Sequence, residues 1–259
     1  MKFSIITVCF NSEKTLERTI QSVLGQTFAD YEYIIVDGAS KDGTLDVVKA
    51  YEPKFGSRLK WISEPDKGIY DAMNKGIKMA QGEIIGIVNS DDWLEPDALS
   101  IIVEAASENV AKGIVYTGDI RYHYNDGTTQ VISYSQKDLA HYAKIWRLGL
   151  NHPATFVPRQ LYEEYGLFDT NLKLQADSDF IDRLYHKGVE FVFIDKVLSN
   201  QSDGGASTSN SKKSLSDYKY ILHKNVGSPS LRLIYYVKYW IAVQIKRYSP
   251  AFLLKMHRK

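Results

Sequence analysis

The stretch EIIGIVNSDDWLEP (residues 83–96) joins an apolar run to two adjacent carboxylates. Its first half shows no alternation of polar and apolar residues, which predicts a strand that is buried on both faces of a sheet. Asp91 and Asp92 follow at the carboxyl end of this strand. Pro96 comes next, early in a predicted helix, where proline is favoured. Two neighbouring carboxylates at the end of a buried strand repel each other, so the pair needs a cation or hydrogen-bond donors.

The Asp91–Asp92 pair allows two interpretations. Hard divalent cations take oxygen ligands and leave room for substrate phosphates, so a metal–diphosphate site would explain the pair. Alternatively, one aspartate caps the following helix while the other is solvated. An Asp-Asp pair is common, and these residues alone leave both interpretations open.

Segments before this strand predict that it belongs to an α/β sheet. The run FSIITVC (residues 3–9) is apolar and β-branched, YEYIIVD (residues 31–37) is a second predicted strand, and LKWIS (residues 59–63) contains a shorter strand. Helical segments follow them, and we expect Asn11 or Ser12 to cap the first helix. This β-α-β-α-β order predicts a doubly wound, mostly parallel sheet with flanking helices.

Polar and aromatic residues follow the predicted strands of the first half, where ligands of such sheets bind. Phe10 and Asp37 lie at strand ends, together with the two adjacent aspartates. Asp37 can accept a hydrogen bond from a ribose or a nucleobase, but it also suits an ordinary turn. Asp66 and Lys67 lie in a polar segment that either lines a pocket or forms a solvated loop. Neither the G-x-G-x-x-G fingerprint nor a P-loop motif occurs.

The second half carries the remaining candidates. Residues 113–134 alternate in polarity and contain Asn-Asp-Gly, which predicts a β-hairpin. Residues 177–188 predict an amphipathic helix with Asp177 and Asp179 in its first turn. Acidic residues there complement the helix dipole, but one of them can instead act as a general base. His152 suits a metal ligand, an acceptor contact or a structural role.

Charge separates the C-terminal part from the rest of the chain. The net charge is +1, the last acidic residue is Asp217, and nine lysines and arginines follow it. Residues 200–214 are small, polar and glycine-rich, which predicts a mobile loop. The basic, aromatic segment beyond suits a helix on an anionic membrane, a helix packed on the body, or an oligomer contact. Nucleic acid is not an expected partner, because no nucleic-acid fold signature occurs.

Cysteine content and hydropathy limit the setting of the protein. The single cysteine, Cys9, excludes a disulfide framework and a cysteine-rich metal site, and it favours a reducing compartment. No apolar run approaches the roughly 20 residues that span a bilayer.

Three stretches together resemble family 2 of the inverting glycosyltransferases, which has the GT-A fold. They are SIITVCFNSEKTLERTIQSVLGQTFADYEYIIVDGASKDGT (residues 4–44), SEPDKGIYDAMNKGIKMAQGEIIGIVNSDDWLEP (residues 63–96) and NHPATFVPRQLYEEYGLFDTNLKLQADSDFIDRL (residues 151–184). They follow the order and spacing of the family. No single motif decides the resemblance, but the ordered set is specific.

The resemblance implies roles for individual positions. The residues that it assigns to the nucleotide are Val8, Phe10, Asp37, Asp66, Lys67 and Asp91. Asp92, with Asp91, matches the family's metal motif and implies Mg²⁺ or Mn²⁺ as cofactor. Asp177 matches the general base. Candidates for acceptor or loop contacts are His152, Asp179 and Lys212.

The chain departs from the family pattern at two places. The family often has Glu-Asp at the base, whereas this chain has Ala176-Asp177, which alters the acceptor contacts expected there. The Gln-x-x-Arg-Trp motif and the transmembrane helices of processive members do not occur, so repeated polymerisation is not expected.

The expected organisation is a GT-A domain over residues 1–215, followed by a helical, basic and aromatic tail over residues 216–259. Within the domain, the nucleotide-binding half covers about residues 1–110 and the acceptor half about residues 111–215. The implied reaction moves a sugar from a nucleotide diphosphate-sugar, with UDP expected, to a glycan hydroxyl. The tail suggests a polyprenyl-diphosphate-linked acceptor at the inner face of the membrane, in a cytoplasmic peripheral protein that can oligomerise. The alternatives are a nucleotidyltransferase of sugar-nucleotide synthesis, which usually has a glycine-rich signature after its first strand, and a non-catalytic nucleotide- or membrane-binding scaffold.

Overall fold

A computed structural model describes residues 2–108, 113–146, 150, 152–204 and 211–248. The described side chains are those of the same ranges up to residue 245, without residue 108. Within these ranges the chain forms a nine-stranded sheet with helices on both faces.

The first half alternates strands and helices in the predicted order. Its elements are β1 (Phe3–Cys9), α1 (Leu16–Leu24), β2 (Tyr31–Asp37), α2 (Thr44–Phe55), β3 (Leu59–Ser63), α3 (Ile69–Met79) and β4 (Ile84–Ile87). β1 and β2 are buried at every position, as expected for strands covered on both faces. Both strands were therefore predicted correctly from the sequence.

The second half adds antiparallel strands and further helices. Its elements are β5 (Trp93–Leu94), α4 (Ala98–Glu108), β6 (Val115–His123), β7 (Thr129–Ile132), α5 (Gln136–Ala143), β8 (Thr155–Pro158), α6 (Arg159–Tyr165), α7 (Ala176–His186), β9 (Phe191–Ser202), α8 (Ser211–Asn225) and α9 (Pro229–Tyr248). The predicted hairpin is confirmed as β6 and β7. The short strands β5 and β8 were not predicted, because two to four residues carry too little periodicity. Pro96 lies in the turn before α4 rather than within the helix.

The strand order in the sheet is β3-β2-β1-β4-β8-β6-β9-β5, and β7 pairs with β6. The first four strands are parallel, so their carboxyl ends meet at one edge of the sheet. β8 is antiparallel to both β4 and β6, and β9 returns parallel to β6. β9 then pairs with β5, which brings residues 199–202 next to the segment that follows β4.

Two apolar layers cover the two faces of the sheet. Ile6 and Val8 of β1 face one layer, which includes buried residues of α3, α6 and α7. Ile5 of β1 faces the other, which includes buried residues of α1, α2 and α4. Alternate residues of one strand thus serve opposite layers.

The C-terminal helices pack on the rest of the chain through α8. Tyr218 and Ile221 of α8 are buried, and Tyr239 of α9 packs against Tyr218. The predicted loop over residues 200–214 needs correction at both ends: residues 200–202 belong to β9, and α8 begins at Ser211. Residues 205–210 lie outside the described residues. The expected domain boundary after residue 215 falls within α8.

None of the helices in the described part of the chain is long and apolar enough to cross a bilayer.

Gly82 permits a close approach of two backbones next to β1. Its N–H donates to Ser4 Oγ at 2.8 Å, and a Cβ at this position would lie 2.4 Å from the Phe3 carbonyl carbon. We expect Gly82→Ala to lower the free energy of unfolding by about 2 kcal/mol or more, because the clash is with backbone rather than with a mobile side chain. Gly227, which has no neighbour within 4 Å of a built Cβ, provides the control Gly227→Ala. Urea unfolding of both variants tests this, and equal stabilities would contradict it.

Candidate functional site

Asp37, at the end of β2, is fully buried, and its carboxylate accepts hydrogen bonds from two serines. It accepts hydrogen bonds from the Ser40 N–H at 3.0 Å, from the Ser40 hydroxyl, and from the Ser63 hydroxyl at 2.7 Å. Burial, with Asp37 beside it, raises the pKa of the Cys9 thiol, so this thiol is protonated at neutral pH. The turn-forming role proposed for Asp37 is therefore present, and it fixes the orientation of the carboxylate.

An exposed aromatic ring and a carboxylate lie close to Gly38, beside Asp37. The side chain of Phe10 is 63% exposed. A Cβ at Gly38 would lie 3.0 Å from Asp66 Oδ2 and 3.3 Å from the Phe10 ring, so a larger residue would fill this space. Lys75 Nζ donates to Asp66 Oδ1 at 2.6 Å. The Lys67 side chain is exposed near the end of the same loop, shortly before α3. Phe10 thus provides the exposed ring that stacking of a planar base requires.

Asn11 and Ser12 do not cap α1, so that prediction was wrong. The helix begins at Leu16 without a side-chain cap. Asn11 has a φ of 51°, and its Oδ1 accepts from the Lys41 N–H at 2.9 Å. Ser12 Oγ lies 2.9 Å from Ser90 Oγ. Both side chains bind the loops after neighbouring strands, which holds the carboxyl edge of the sheet together.

Asp92 is a buried carboxylate with few donors. It is 1% exposed, accepts from the Ser202 N–H at 3.2 Å and from Asn89 Nδ2 at 3.1 Å. Burial and the neighbouring charge of Asp91 raise the pKa of Asp92 to about 7. The suggestion that one aspartate of the pair is simply solvated therefore does not apply to Asp92.

Arg18 of α1 ties the Asp91–Asp92 segment to β9. Its Nη2 donates to the Asp91 carbonyl at 2.7 Å and to Ser202 Oγ at 2.8 Å. The guanidinium carbon lies 3.7 Å from the centre of the Trp93 ring, in a cation–π contact. These contacts place a fixed positive charge beside the two aspartates.

The oxygen atoms around Asp92 are the kind of ligands that a hard divalent cation takes. Asn89 Oδ1 is buried and has no hydrogen-bond partner among the described residues, so a second oxygen beside Asp92 lacks a donor. No group of three or more His, Cys, Asp or Glu residues in the described part of the chain is arranged to hold a metal. Carboxylate and amide oxygens suit Mg²⁺ or Mn²⁺, provided that a bound molecule or water completes the ligands.

Asp177, in the first turn of α7, lies in a triad of side chains. Tyr70 of α3 donates its hydroxyl to Asp177 Oδ1 at 2.9 Å, and His152 Nδ1 lies 3.3 Å from Oδ2. The Asp177 and His152 side chains are 21% and 26% exposed. The carboxylate is thus oriented by two partners and still accessible.

The electrostatics of this triad keep Asp177 ionised. Burial would raise the pKa of Asp177, but the hydrogen bond and charge of His152 and the Tyr70 hydroxyl hold it below its ordinary value. Burial likewise opposes charging of His152, but Asp177, Asp92 and Asp91 raise its pKa. The Asp177 contribution to stability is lost as pH falls through its lowered pKa, and that of His152 is lost as pH rises through its raised pKa. Asp177 and His152 are therefore both charged at pH values between these two pKa values.

Three of the remaining candidates lie away from this triad. Val8 is 5% exposed with its side chain in the core, so only its main chain is available to a ligand. Asp179 is fully buried and paired with Lys224 at 3.2 Å and Arg183 at 3.3 Å. Lys212 lies exposed on α8. The structure brings none of them to Asp177.

Sequence reasoning missed Tyr70, Arg18 and Ser202. Tyr70 is 107 residues from Asp177 in the chain, and it lies among the apolar positions of α3, which predicts only a core residue. Ser202 was assigned to the glycine-rich loop. The position of Arg18 on an exposed helix face gave no signal, because its partners come from other elements.

Comparison with known proteins identifies the protein family. The sequence profile described as Glycosyl transferase family 2 matches residues 4–166. This chain belongs to that family. A PGL/p-HBAD biosynthesis glycosyltransferase of Mycobacterium bovis is 32% identical over 184 residues, which cover 71% of this chain and 69% of the relative.

Solved structures of glycosyltransferases share the fold of this family member. S. aureus TarS in complex with UDP-GlcNAc has a TM-score of 0.70 and 22% identity, covering 88% of this chain and 68% of TarS. The mannosyltransferase PcManGT from Pyrobaculum calidifontis in complex with GDP-Man and Mn²⁺ has a TM-score of 0.65 and 16% identity, covering 92% and 68%. The α/β fold is thus confirmed as GT-A with C-terminal helices, and the family favours a glycosyltransferase over the nucleotidyltransferase alternative.

The raised pKa of Asp92 predicts that this residue destabilises the metal-free protein. A carboxyl group with a raised pKa stabilises the fold below its ordinary pKa, and the stabilisation is lost as pH rises through about 7. We expect Asp92→Asn to raise the free energy of unfolding at pH 8 by about 1–3 kcal/mol, with a gain that shrinks toward pH 4. Urea unfolding in the presence of a chelator measures this. Asp195→Asn, at an exposed strand position, is the control; a gain that is independent of pH would refute the prediction.

Proposed function

We propose that this protein transfers a sugar from a nucleotide diphosphate-sugar, with a UDP-sugar as the expected donor, to a hydroxyl group of a glycan, with inversion at the anomeric carbon. The observation that carries the proposal is the triad of Asp177, His152 and Tyr70. It holds an accessible, ionised carboxylate close enough to Asp91 and Asp92 for their charge to act on His152. Transfer by a single displacement needs a base for the acceptor hydroxyl group on one side of the sugar and a site for the nucleotide on the other.

The donor is proposed to bind along the carboxyl ends of β1, β2 and β4. Phe10 and Asp66 are proposed to contact the base, and Asp37 shapes the turn beside them. Lys67, exposed on the same loop as Asp66, is proposed to reach the base or the diphosphate. UDP-GlcNAc in TarS and GDP-Man in PcManGT support a nucleotide-sugar as the donor class.

Asp177 is proposed to accept the proton of the attacking hydroxyl group. The acceptor oxygen forms the new bond to the anomeric carbon while the bond to the diphosphate oxygen breaks, and the electron pair leaves with the nucleoside diphosphate. Tyr70 and His152 orient Asp177, and the charge of His152 keeps it ionised at neutral pH. A low pKa makes Asp177 a weak base in the ground state, so proton transfer accompanies bond formation in the transition state.

Asp92 and Asp91 would hold Mg²⁺ or Mn²⁺, with Asn89 Oδ1 as a neighbouring oxygen. When bound, the ion neutralises negative charge that develops on the leaving diphosphate. Arg18 adds a fixed positive charge at the same edge. The Mn²⁺ bound in PcManGT makes Mn²⁺ the first ion to test.

A nucleotide-release assay tests the proposed reaction. The protein is incubated with Mn²⁺ and UDP-, GDP- and dTDP-sugars, with and without glycan acceptors, and the freed nucleotide is quantified. We expect one donor to react. Asp177→Asn should lower acceptor-dependent transfer by about 10²-fold or more with little change in donor affinity, because it removes the base alone.

Two further variants give this assay its controls. Asp92→Asn should abolish the Mn²⁺-dependent stabilisation by the nucleotide, whereas Asp195→Asn should match the wild type. If no donor reacts and no nucleotide binds in a metal-dependent way, the protein is better explained as a non-catalytic scaffold. Full transfer activity in Asp177→Asn would exclude this residue as the base.

The proposed acceptor is linked to a lipid at the inner membrane face, and α9 carries the supporting surface. Seven apolar side chains of this helix are between 42% and 64% exposed: Leu231, Leu233, Ile234, Val237, Trp240, Ile241 and Ile245. Most of them recur every three or four residues, which forms one stripe along the helix. No acidic residue follows Asp217, while lysine and arginine flank the stripe.

The chemistry of this stripe fits an anionic bilayer surface better than a protein partner. A helix with an exposed apolar stripe and basic flanks lies in the interface with its apolar face inserted. Each basic residue near an anionic surface adds attraction that salt screens. The protein is thus proposed to be cytoplasmic and peripheral, with its membrane-bound face on α9.

Sedimentation with liposomes tests this surface. We expect the full-length protein to bind vesicles of phosphatidylcholine and phosphatidylglycerol at low salt, and Trp240→Ser combined with Ile241→Ser to weaken binding by about 10-fold or more. Val131→Ser, at a residue that is 48% exposed on β7, is the control. If the double variant binds vesicles normally but loses a dimer in gel filtration, the stripe is an oligomer interface instead.

A further inference from the structure

The first turn of α7, which carries Asp177, has no capping side chain of its own. Gln175 occupies the N-cap position, and its side chain makes no cap hydrogen bond to the helix. The N-cap side chain does not fix this helix end, so contacts to the residues directly before the helix position it. Asp177 is the second residue of α7, and its position therefore depends on how this end is held.

Asp217 of α8 binds the backbone segment that leads into α7. Its Oδ2 accepts hydrogen bonds from three consecutive main-chain N–H groups, those of Lys173 at 2.8 Å, Leu174 at 2.6 Å and Gln175 at 3.2 Å. The side chain is 4% exposed. A carboxylate that receives three amide donors forms charge-assisted hydrogen bonds, and here its negative charge lies near the positive end of the α7 dipole. Residues 173–175, directly before α7, are thus held by a residue more than 40 positions later in the chain.

Other residues of the C-terminal helices hold the same end of α7. The Gln175 side chain donates to Ser214 Oγ at 2.7 Å and to the Tyr239 hydroxyl at 2.8 Å. One helical face of α8 presents Ser214, Asp217 and Lys224, and Lys224 Nζ pairs with Asp179 at 3.2 Å. Contacts from α8 and α9 therefore lie on both sides of Asp177 in the sequence.

We propose that Asp217 is a positioning residue for glycosyl transfer, which holds Asp177 at the distance that the acceptor hydroxyl requires by anchoring residues 173–175, directly before α7, to α8. The proposal rests on the proposed role of Asp177 as the base. It makes α8 and the adjoining part of α9 components of the active site rather than an independent tail. Donor binding is not involved, because Phe10, Asp37 and Asp92 lie on other elements.

The test compares substitutions at Asp217 and at Tyr239 in the full-length protein. Asp217→Ala removes the acceptor of three N–H groups and should lower kcat for transfer by about 10-fold or more, since small displacements of a catalytic group are costly. Asp217→Asn retains an acceptor oxygen and should restore part of this loss. Tyr239→Phe, which removes only the hydroxyl group at Gln175, should lower kcat by a few fold. Asp195→Asn is again the control.

Two measurements separate positioning from a loss of folded protein. Calorimetric titration with UDP and Mn²⁺ should give wild-type stoichiometry and a Kd within about twofold for every variant, so that kcat refers to intact sites. The substitution Asp217→Asn is then repeated in Asp177→Asn protein, and residual donor hydrolysis is measured. If Asp217 acts through Asp177, it should have no further effect there.

The outcomes distinguish this proposal from the proposed function. Equal losses in the presence and absence of the Asp177 carboxylate would overturn positioning and assign Asp217 a structural role. Wild-type kcat in Asp217→Ala would overturn it directly. If Asp177→Asn alone leaves transfer unchanged, the base assignment fails and the positioning proposal fails with it, although UDP binding would still support the donor site.

Discussion

The compensation of buried negative charge at one edge of the sheet organises this protein. Parallel pairing of β3, β2, β1 and β4 directs their carboxyl ends to the same side, and buried carboxylates lie at or beyond the ends of β2 and β4. A buried carboxylate is costly unless donors or a cation reach it. Asp37 is satisfied by serines close to it, and Asp177 by α3 and by the segment before β8. Asp92 is less well satisfied: among the described residues it accepts from Asn89, after β4, and from Ser202, at the end of β9. Each of these three carboxylates is therefore contacted by different elements of the fold.

The two carboxylates with defined roles in the proposed reaction differ in how completely they are compensated. Asp177 has a hydroxyl and an imidazole as partners, so its pKa is lowered. Asp92 has two weaker donors and a negative neighbour, so its pKa is raised to about 7. Opposite shifts in neighbouring carboxyl groups separate their functions. Asp92, whose charge is less well compensated, suits the binding of a cation, and Asp177, whose charge is compensated, suits proton transfer.

The C-terminal helices extend the same principle beyond the sheet. Asp217 is buried and is satisfied by main-chain N–H groups that would otherwise lack acceptors. One carboxylate is thus satisfied by the same contacts that anchor the segment leading into α7. Because the opposite face of α9 is apolar and exposed, the segment that supports α7 is also the one proposed to lie on the membrane.

The sequence by itself determined the succession of β1 to β4 along the chain and the parallel character of that half of the sheet. It also determined that Phe10, Asp37, Asp91 and Asp92 lie at the carboxyl edge of the sheet. These features depend on periodicity over a few residues and on the rule that parallel strands end together. Only the tertiary structure decided the partners: Tyr70 for Asp177, Ser202 for Asp92 and Asp217 for the start of α7. Those contacts join residues 107, 110 and about 43 positions apart. Local patterns carry no information about such distances, because packing of whole elements brings these side chains together.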